Sequence, residues 1–245
     1  MLIYASESEL DDNILGIAES LDSKVINKIP EEPHLQYDSD GLALIIDPLN
    51  IRSKIHVDFL KGKVGWRIKR SQHESNLKKA LGKNKDSITI YDATAGFLAD
   101  SMIFLSLGHE VIAIEKNKIV FHLVNDAIKR ASKELEFINK LDFRCGDSFN
   151  LYQSLKDQCD IVYLDPMYPV TKKNQKKSGA IEAIKFLQKQ ENFIDDSEEL
   201  INKFLNNDFK KIILKRPLKS KKKYSNINYQ VKGAQHVLTF TYENI

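Results

Sequence analysis

Strands and helices are predicted to alternate along the chain from Ser87 onward. Short apolar runs rich in Ile, Val and Tyr are typical of buried strands, and apolar residues at helical spacing fill the segments between them. The predicted strands are residues 88–92, 110–115, 141–147, 159–165 and 210–216, and the predicted helices are residues 99–107, 117–136, 149–155 and 180–205. This alternation is typical of a mostly parallel sheet with helices on its faces.

The chain ends in two further β-rich runs, residues 228–233 and 236–243, which are close enough in sequence to pair as a hairpin. Five strand–helix units followed by an antiparallel hairpin form the architecture of class I (Rossmann-like) methyltransferases. We therefore predict an α/β fold with a mostly parallel seven-stranded sheet and a C-terminal antiparallel hairpin.

The first sixty residues predict a small α/β unit of their own. Strands are predicted at residues 2–5, 24–29, 42–47 and 54–60, with a helix at 7–21. A further helix at 73–81 is predicted to lead into the main domain. Pro30, Pro33 and Pro48 separate these elements. We predict a small N-terminal domain over residues 1–62 and a methyltransferase domain over residues 63–245.

Composition narrows the class of protein. Hydrophobic residues make up 42% of the 245 residues, which is enough for a substantial core, and no apolar run approaches the ~20 residues that cross a bilayer. The N-terminus lacks the basic start and apolar stretch of a secretory signal. Cys145 and Cys159 give neither a disulfide framework nor metal-ligand spacing. We expect a cytoplasmic protein without a membrane segment or a metal.

Polar residues follow the first three strands of the predicted parallel sheet, at the end where α/β sheets bind ligands. After Asp92 comes a turn of small residues, including Ala93 and Gly96, that lets a cofactor approach the backbone. Glu115 lies 23 residues beyond Asp92, the spacing of an acid that binds ribose hydroxyls. Asp147 and Ser148 end the third strand and are placed to meet an adenine amine. The three polar strand ends favour S-adenosylmethionine over NAD, because the second and third glycines of a dehydrogenase turn are missing.

The fourth strand ends in Asp165-Pro166-Met167-Tyr168-Pro169, which is similar to the (Asp/Asn)-Pro-Pro-(Tyr/Phe) tetrapeptide of methyltransferases that act on exocyclic amines of bases. Such an amine is a poor nucleophile because its lone pair is delocalised into the ring. The Asp165 carboxylate and the Pro166 carbonyl are predicted to hold the amine hydrogens, and Tyr168 to stack on the base for ~1–3 kcal/mol. Prolines stiffen the loop.

From Val57 onward the chain resembles bacterial 16S ribosomal RNA (guanine-N2)-methyltransferases of the RsmJ type. The matching segments are residues 57–59, 92–96, 106–108, 115–117, 162–169, 177–178 and 215–217, of which Tyr-Leu-Asp-Pro-Met-Tyr-Pro at 163–169 is the most specific. The resemblance implies methylation of a guanine N2 of 16S rRNA in the small ribosomal subunit, with S-adenosylmethionine as the donor. It also implies cofactor contacts at Ala99, Asp100, Glu115, Lys116, Asp147, Ser148 and Asp165.

The chain departs from the family pattern at the turn after the first strand. The family usually has Gly-Leu-Gly-Arg-Asp where this chain has Gly96-Phe97-Leu98-Ala99-Asp100. The missing arginine removes one partner for the carboxylate at the methionine end of the cofactor, a role that backbone amides can take instead. The family also has a pair of serines after the third strand, and this chain has Asp147 in place of the first and keeps the second as Ser148.

Three basic clusters predict the surface that contacts RNA phosphates. The first cluster is Lys61, Lys63, Arg67, Lys69 and Arg70, the second is Lys172, Lys173, Lys176 and Lys177, and the third is Lys215, Arg216, Lys219, Lys221, Lys222 and Lys223. The second and third clusters follow the ends of the fourth and fifth strands, so they lie at the same rim of the sheet as the predicted base site. From these clusters the predicted RNA-binding residues are Arg67, Lys69, Arg70, Lys172, Lys173, Lys176, Lys177, Lys215 and Arg216. Trp66, within the first cluster, is predicted either to stack on RNA or to be buried.

Other functions remain open at this point. One alternative is a methyltransferase that acts on DNA, another nucleic acid or a small-molecule amine, and a second is a non-catalytic RNA-binding assembly factor. A nicotinamide oxidoreductase is disfavoured by the missing glycines. Binding of S-adenosylmethionine measured against binding of NAD separates the cofactor classes.

Overall fold

The structure is a computed structural model that describes residues 1–82, 86–167, 179–190, 197–218, 224, 227–233 and 236–242. Its strands in chain order are β1 (Leu2–Ala5), β2 (Val25–Ile26), β3 (His34–Asp38), β4 (Gly41–Ile45), β5 (Lys54–His56), β6 (Thr89–Asp92), β7 (Glu110–Glu115), β8 (Leu141–Cys145), β9 (Ile161–Leu164), β10 (Lys211–Pro217), β11 (Tyr229–Lys232) and β12 (His236–Tyr242). The helices are α1 (Asp12–Ser20), α2 (Gly62–Lys69), α3 (Ser75–Leu81), α4 (Ser101–Ser106), α5 (Lys118–Ala131), α6 (Ser148–Leu155), α7 (Gly179–Gln190) and α8 (Ser197–Leu205).

The larger sheet confirms the predicted fold. Its seven strands have the order β11-β12-β10-β9-β6-β7-β8. Strands β6 to β10 run parallel to their neighbours among themselves, and β12 pairs antiparallel with both β10 and β11. The order of the strands reverses between β6 and β9, because β7 and β8 extend the sheet on one side of β6 whereas β9 and β10 extend it on the other. Such a switch point is where α/β sheets bind ligands.

The central strands of this sheet are buried because helices cover both of its faces. All four residues of β9 are buried, as are the first four of β10. Tyr91, Tyr152 and Phe204 form an aromatic cluster in the core, with ring centroids 5.1 to 6.3 Å apart. This packing fixes the positions of the strand ends that carry the polar residues.

The smaller sheet has the order β2-β1-β3-β4-β5. Strand β3 was not predicted, although it lies in the middle of the sheet. Its sequence, His-Leu-Gln-Tyr-Asp, is more polar than a central strand usually is, and it follows Pro33. His34 and Leu35 are nonetheless buried. Helix α2 was also missed, because two glycines and several cations weaken the helical pattern of residues 62–69.

The chain packs as two compact units. One contains Met1–Leu60 with Asn117–Leu135 and α7, and the other contains Lys61–Lys116 with the strands and helices of the larger sheet that follow residue 136. These units divide the chain by packing, whereas the predicted domains at 1–62 and 63–245 divide it by function, and the domain boundaries stay a prediction. No helix among the described residues is long and apolar enough to cross a membrane.

Candidate active site at the carboxyl ends of the parallel strands

Polar side chains from three neighbouring strands meet at the carboxyl end of the larger sheet. Asp92 is the last residue of β6, Asp165 follows β9, and Lys215 lies near the end of β10. The backbone amide of Asp165 donates a hydrogen bond to the Thr94 hydroxyl at 2.7 Å. The turn after β6 and the Asp165-Pro166-Met167 segment are therefore joined directly.

Lys215 bridges two carboxylates. Its Nζ lies 2.6 Å from an oxygen of Asp165 and 2.6 Å from an oxygen of Asp100. The Asp100 side chain is only 7% exposed, against 36% for Asp165. The Tyr163 hydroxyl also donates a hydrogen bond to Asp100, at 2.7 Å. Lys215 thus connects a residue of the predicted cofactor loop with the predicted catalytic aspartate.

Arg67 of α2 reaches the same loop from the other side. Its Nη2 lies 2.9 Å from an oxygen of Asp100, and its Nε lies 2.6 Å from a carboxylate oxygen of Glu74. A longer contact of 3.4 Å joins Nη1 to the Ala99 carbonyl. A guanidinium therefore lies beside Ala99, the position at which the resembled family carries an arginine.

The three aspartates respond differently to burial. Burial by itself raises the pKa of Asp100, but the cations of Lys215 and Arg67 outweigh it and lower the pKa below its ordinary value. Burial raises the pKa of Asp165 to about 6. The nearby Asp100 charge adds to this rise, and the Lys215 cation opposes it. Burial likewise raises the pKa of Asp92 to about 7. Asp100 is the anchored charge of the group, and Asp165 takes up a proton more readily.

Asp92 is held by its own turn. The Ser101 hydroxyl donates to one of its carboxylate oxygens at 2.5 Å, and the Thr94 amide donates to the other at 3.1 Å. Only 3% of Asp92 is exposed. This arrangement fixes the turn between β6 and α4, so Asp92 shapes the predicted cofactor loop.

The loop between β6 and α4 contains two residues with unusual backbone geometry. Gly96 and Leu98 both have positive φ, at 49° and 56°. Such a conformation costs a residue with a side chain roughly 1–2 kcal/mol, and Leu98 stands where the family usually has glycine. Its side chain is fully buried, so apolar packing offsets the backbone strain.

The ends of β7 and β8 carry the remaining predicted cofactor residues. Glu115 is half-buried, and its carbonyl accepts a hydrogen bond from the Gly146 amide at 3.0 Å, so the two strand ends are adjacent. Lys116 is exposed. The exposed Asp147 carboxylate caps α6 by accepting from the Asn150 amide at 2.9 Å.

Ser148 is buried at the start of α6, and its backbone carbonyl accepts a hydrogen bond from the Tyr91 hydroxyl at 2.6 Å. The strand ends and helix starts predicted to hold an adenosine therefore form one continuous edge of the sheet.

The predicted RNA-binding residues fall into three groups. Lys69 and Arg70 are exposed on α2. Arg67 and Lys215 contact the carboxylates described above, and Arg216 is buried with its guanidinium 5.5 Å from the centre of the Tyr224 ring. RNA contact by these residues stays a prediction. The remaining predicted site residues, which lie outside the described residues, are Tyr168, Lys172, Lys173, Lys176 and Lys177.

Several residues of the site were not predicted to have a role. Thr94, Ser101, Tyr163 and Glu74 each hydrogen-bond or pair with a member of the charged group. For Tyr163 the sequence contained a signal, because a tyrosine hydroxyl within a buried strand needs a hydrogen-bond partner. The other three contacts depend on how the loop and α2 fold back. Within the described part of the chain, no group of three or more His, Cys, Asp or Glu side chains is arranged to hold a metal ion.

Comparison with known proteins agrees with this geometry. The family model of SAM-dependent methyltransferases matches residues 21–236. A ribosomal RNA small subunit methyltransferase J from Buchnera aphidicola is 30% identical over 208 residues, which cover 78% of this chain and 82% of that protein. The methyltransferase J of Coxiella burnetii is 32% identical over 170 residues, which cover 68% of this chain and 65% of that protein.

A solved structure from Neisseria gonorrhoeae, described as a SAM-dependent methyltransferase, shares the fold with a TM-score of 0.73. It has 21% sequence identity, and the match covers 99% of this chain and 96% of that one. In the alignment with the methyltransferase J of Hahella chejuensis, the chain spans 62% of that relative's length.

The fold and the family match define a class I SAM-dependent methyltransferase, as predicted. Within that class the chain belongs to the family of ribosomal RNA small subunit methyltransferase J.

The charged group suits the cofactor of this class. S-adenosylmethionine carries a positive sulfonium and an ammonium group. The site holds three buried or half-buried aspartates, Asp92, Asp100 and Asp165, against the two cations Arg67 and Lys215. The raised pKa values of Asp92 and Asp165 show that negative charge is costly here. A cationic ligand relieves that cost.

Proposed function

We propose that this protein transfers a methyl group from S-adenosylmethionine to the N2 amine of a guanine in 16S rRNA of the small ribosomal subunit. Two facts support the substrate class: the names of its relatives, which are ribosomal RNA small subunit methyltransferases, and the similarity of residues 165–168 to the tetrapeptide of exocyclic-amine methyltransferases. Such a substrate supports a cytoplasmic location, which is part of the proposal.

The observation that carries the proposal is the position of Asp165. This residue directly follows β9, and its carboxylate pairs with Lys215. Its backbone amide donates a hydrogen bond to the Thr94 hydroxyl, which fixes the backbone at this position. The cofactor supplies an electrophilic methyl on a sulfonium. Asp165 and the Pro166 carbonyl accept hydrogen bonds from the guanine NH₂ and orient its lone pair toward that methyl, which is catalysis by positioning.

The proton balance also fits a carboxylate in this environment. With S-adenosylmethionine bound, the guanine nitrogen would take the methyl group as its bond to sulfur breaks, and the amine would then release one proton. A carboxyl group with a pKa near 6 is ionised at neutral pH and can receive that proton before passing it to water. Lys215 holds the ionised carboxylate in place and limits its rotation.

The cofactor is assigned to the edge formed by β6, β7 and β8. Glu115 accepts the ribose hydroxyls, and Asp147 and Ser148 meet the adenine, with Lys116 at the outer side. The methionine end lies toward the loop that contains Ala93, Gly96, Ala99 and Asp100. RNA phosphates are assigned to the exposed Lys69 and Arg70 and to the basic clusters of residues 172–177 and 219–223.

The test is a transfer assay with tritiated S-adenosylmethionine and small subunits from cells that lack the modification. We expect label in RNA, and nucleoside analysis should recover it as N2-methylguanosine. Label in another nucleoside would correct the target atom, and label only in DNA or in small amines would overturn the substrate class. Binding of cofactor and RNA without transfer would favour an assembly factor.

A further inference from the structure

Helix α2, which also carries Arg67, presents an exposed tryptophan. Trp66 is 60% exposed, whereas its helix neighbours Gly65 and Ile68 are buried. Large aromatic side chains are usually mostly buried, because each can remove 150–250 Å² from water. Exposure of an indole on an ordered helix is therefore unfavourable in the isolated protein and needs a reason.

The surroundings of Trp66 are strongly basic. Residues 61–70 contain five Lys or Arg and no Asp or Glu. Lys63, Lys69 and Arg70 are exposed on the helix. The Arg70 guanidinium lies 5.0 Å from the centre of the Trp66 ring, a cation–π contact that restricts the motion of both side chains. An ordered ring edged by cations matches the chemistry of a base and its phosphate.

The adjacent residue ties this face to the site. Arg67 pairs with Asp100 and contacts the Ala99 carbonyl, so α2 is fixed against the loop that follows β6. Trp66 precedes Arg67 directly, and all of these residues belong to the same compact unit. The exposed ring therefore lies on the helix that is fixed against the loop after β6.

We propose that Trp66 and Arg70 form a stacking platform for an unpaired RNA base next to the methylated guanine. The ring takes the base by stacking, which is nearly independent of sequence, while Arg70 and Lys69 take the phosphates. This inference rests on the proposed function, since it assumes an RNA substrate. A protein partner or a second copy of the chain is the competing occupant.

The chain offers a direct readout, because Trp66 is its only tryptophan. Intrinsic fluorescence therefore reports this side chain alone. A single-stranded RNA oligonucleotide should quench the emission in a saturable manner, because a stacked base quenches indole. Inorganic polyphosphate of matched charge should leave it nearly unchanged, because it has no bases. Saturated RNA binding, measured by anisotropy, without any change in tryptophan emission would overturn the platform.

Variants separate stacking from charge. Trp66→Leu should weaken RNA binding between about 5-fold and about 100-fold, with an unchanged slope of affinity against salt, whereas Trp66→Phe should keep most of the affinity. Arg70→Gln should reduce the salt slope by roughly one unit or less. Cofactor affinity should stay the same in all three variants.

Leu49→Ala is the control, since it removes another exposed apolar side chain, one that is 96% exposed and lies outside α2. The outcomes distinguish this inference from the proposed function. If the wild-type protein methylates ribosomal RNA and Trp66→Leu binds RNA as tightly as the wild type, the platform is wrong and the function stands. A loss of self-association in Trp66→Leu, without a loss of RNA affinity, would assign the face to a second copy and overturn the proposal. Absence of methylation by the wild type would count against the function itself.

Discussion

The two ends of strands β9 and β10 carry the same chemistry with different consequences. At the amino end Asp160 pairs with Lys210 at 2.9 Å, and five residues further along each strand Asp165 pairs with Lys215 at 2.6 Å. The lysines differ in exposure, with 58% of the Lys210 side chain accessible against 20% for Lys215, whereas the two aspartate side chains are accessible to a similar extent. Residue type and spacing are the same at both ends of the strands.

The carboxyl groups of the two pairs have pKa values shifted in opposite directions. At Asp160 the raising effect of partial burial is outweighed by hydrogen bonds from Lys210 and the Thr89 amide, so its pKa is lowered. At Asp165 the effect of desolvation and the neighbouring Asp100 charge outweigh Lys215, so its pKa is raised to about 6. A second carboxylate turns a simple surface ion pair into a site that favours a cationic ligand.

An Asp–Lys pair lies at each end of β9 and β10, so the pair alone does not make the site. The site forms where further loops and strands bring other side chains to the pair. The loop after β6 supplies Asp100 and Thr94 at the carboxyl end, where strands of a parallel sheet leave room for ligands. Matched substitutions at the two ends of one strand therefore test the site while controlling for the strand.

The largest expected effect is on methyl transfer. Asp165→Ala should lower the rate by about 100-fold or more, because it removes the side-chain acceptor that orients the guanine amine. Asp160→Ala should leave the rate within about twofold, since it changes a pair at the opposite end of the strand. Initial rates with tritiated cofactor measure both. Similar rates for the two variants would remove Asp165 from the chemistry.

The next effect is on stability. Lys215→Met leaves Asp100 and Asp165 without their shared cation, and we expect the free energy of unfolding to fall by about 3 kcal/mol, the lower limit for a broken buried pair. Asp100 keeps Arg67 and Tyr163, and Asp165 is partly exposed, which limits the loss. Lys210→Met should cost at most about 1 kcal/mol. Urea unfolding compares them, and equal losses would contradict the difference in burial.

A smaller effect is expected on cofactor affinity. Glu115→Ala removes a charged acceptor from the ribose hydroxyls, worth ~1.5–3 kcal/mol, so the dissociation constant should rise about tenfold or more. Glu110, the exposed residue at the opposite end of β7, provides the control, and Glu110→Ala should bind cofactor like the wild type. Calorimetry gives both constants, and an unchanged value for Glu115→Ala would make that acid structural.

The smallest expected effect is on pH dependence. Because the pKa of Asp165 is raised to about 6, acidification protonates the acceptor, and kcat/KM should be level above about pH 7 and near half its maximum at pH 6. Asp160 has a lowered pKa and does not titrate in this range. A profile that is flat between pH 5.5 and 8 would show that Asp165 keeps an ordinary pKa.

Sequence patterns predicted the larger sheet well because its strands are apolar runs that contrast with the helices between them. β7 was predicted residue for residue, since Glu110 and Glu115 limit an apolar core. β3 and α2 were missed for one reason: each combines polar or glycine residues with burial that only the tertiary fold reveals. His34, fully buried in β3, is an example.

The candidate site was predicted in part. Asp92, Glu115, Asp147 and Asp165 follow from the rule that ligands bind at strand ends. The contacts of Lys215 with Asp100 and Asp165 did not follow, because Lys215 belongs to a run of cations whose sequence gives no sign of which member is buried. Charge density along the chain predicts a basic surface, but the partner of each cation depends on the loops that fold over the strand ends.

The most direct test of this account is a structure of the protein bound to S-adenosylhomocysteine, the product of the cofactor. We predict the ligand at the carboxyl ends of β6, β7 and β8, with its ribose hydroxyls on the Glu115 carboxylate and its sulfur toward Asp165. Lys215 should remain on Asp165, and the Asp160–Lys210 pair should be unchanged. Ligand bound away from these strand ends, or without contact to Glu115, would contradict the assignment of the active site.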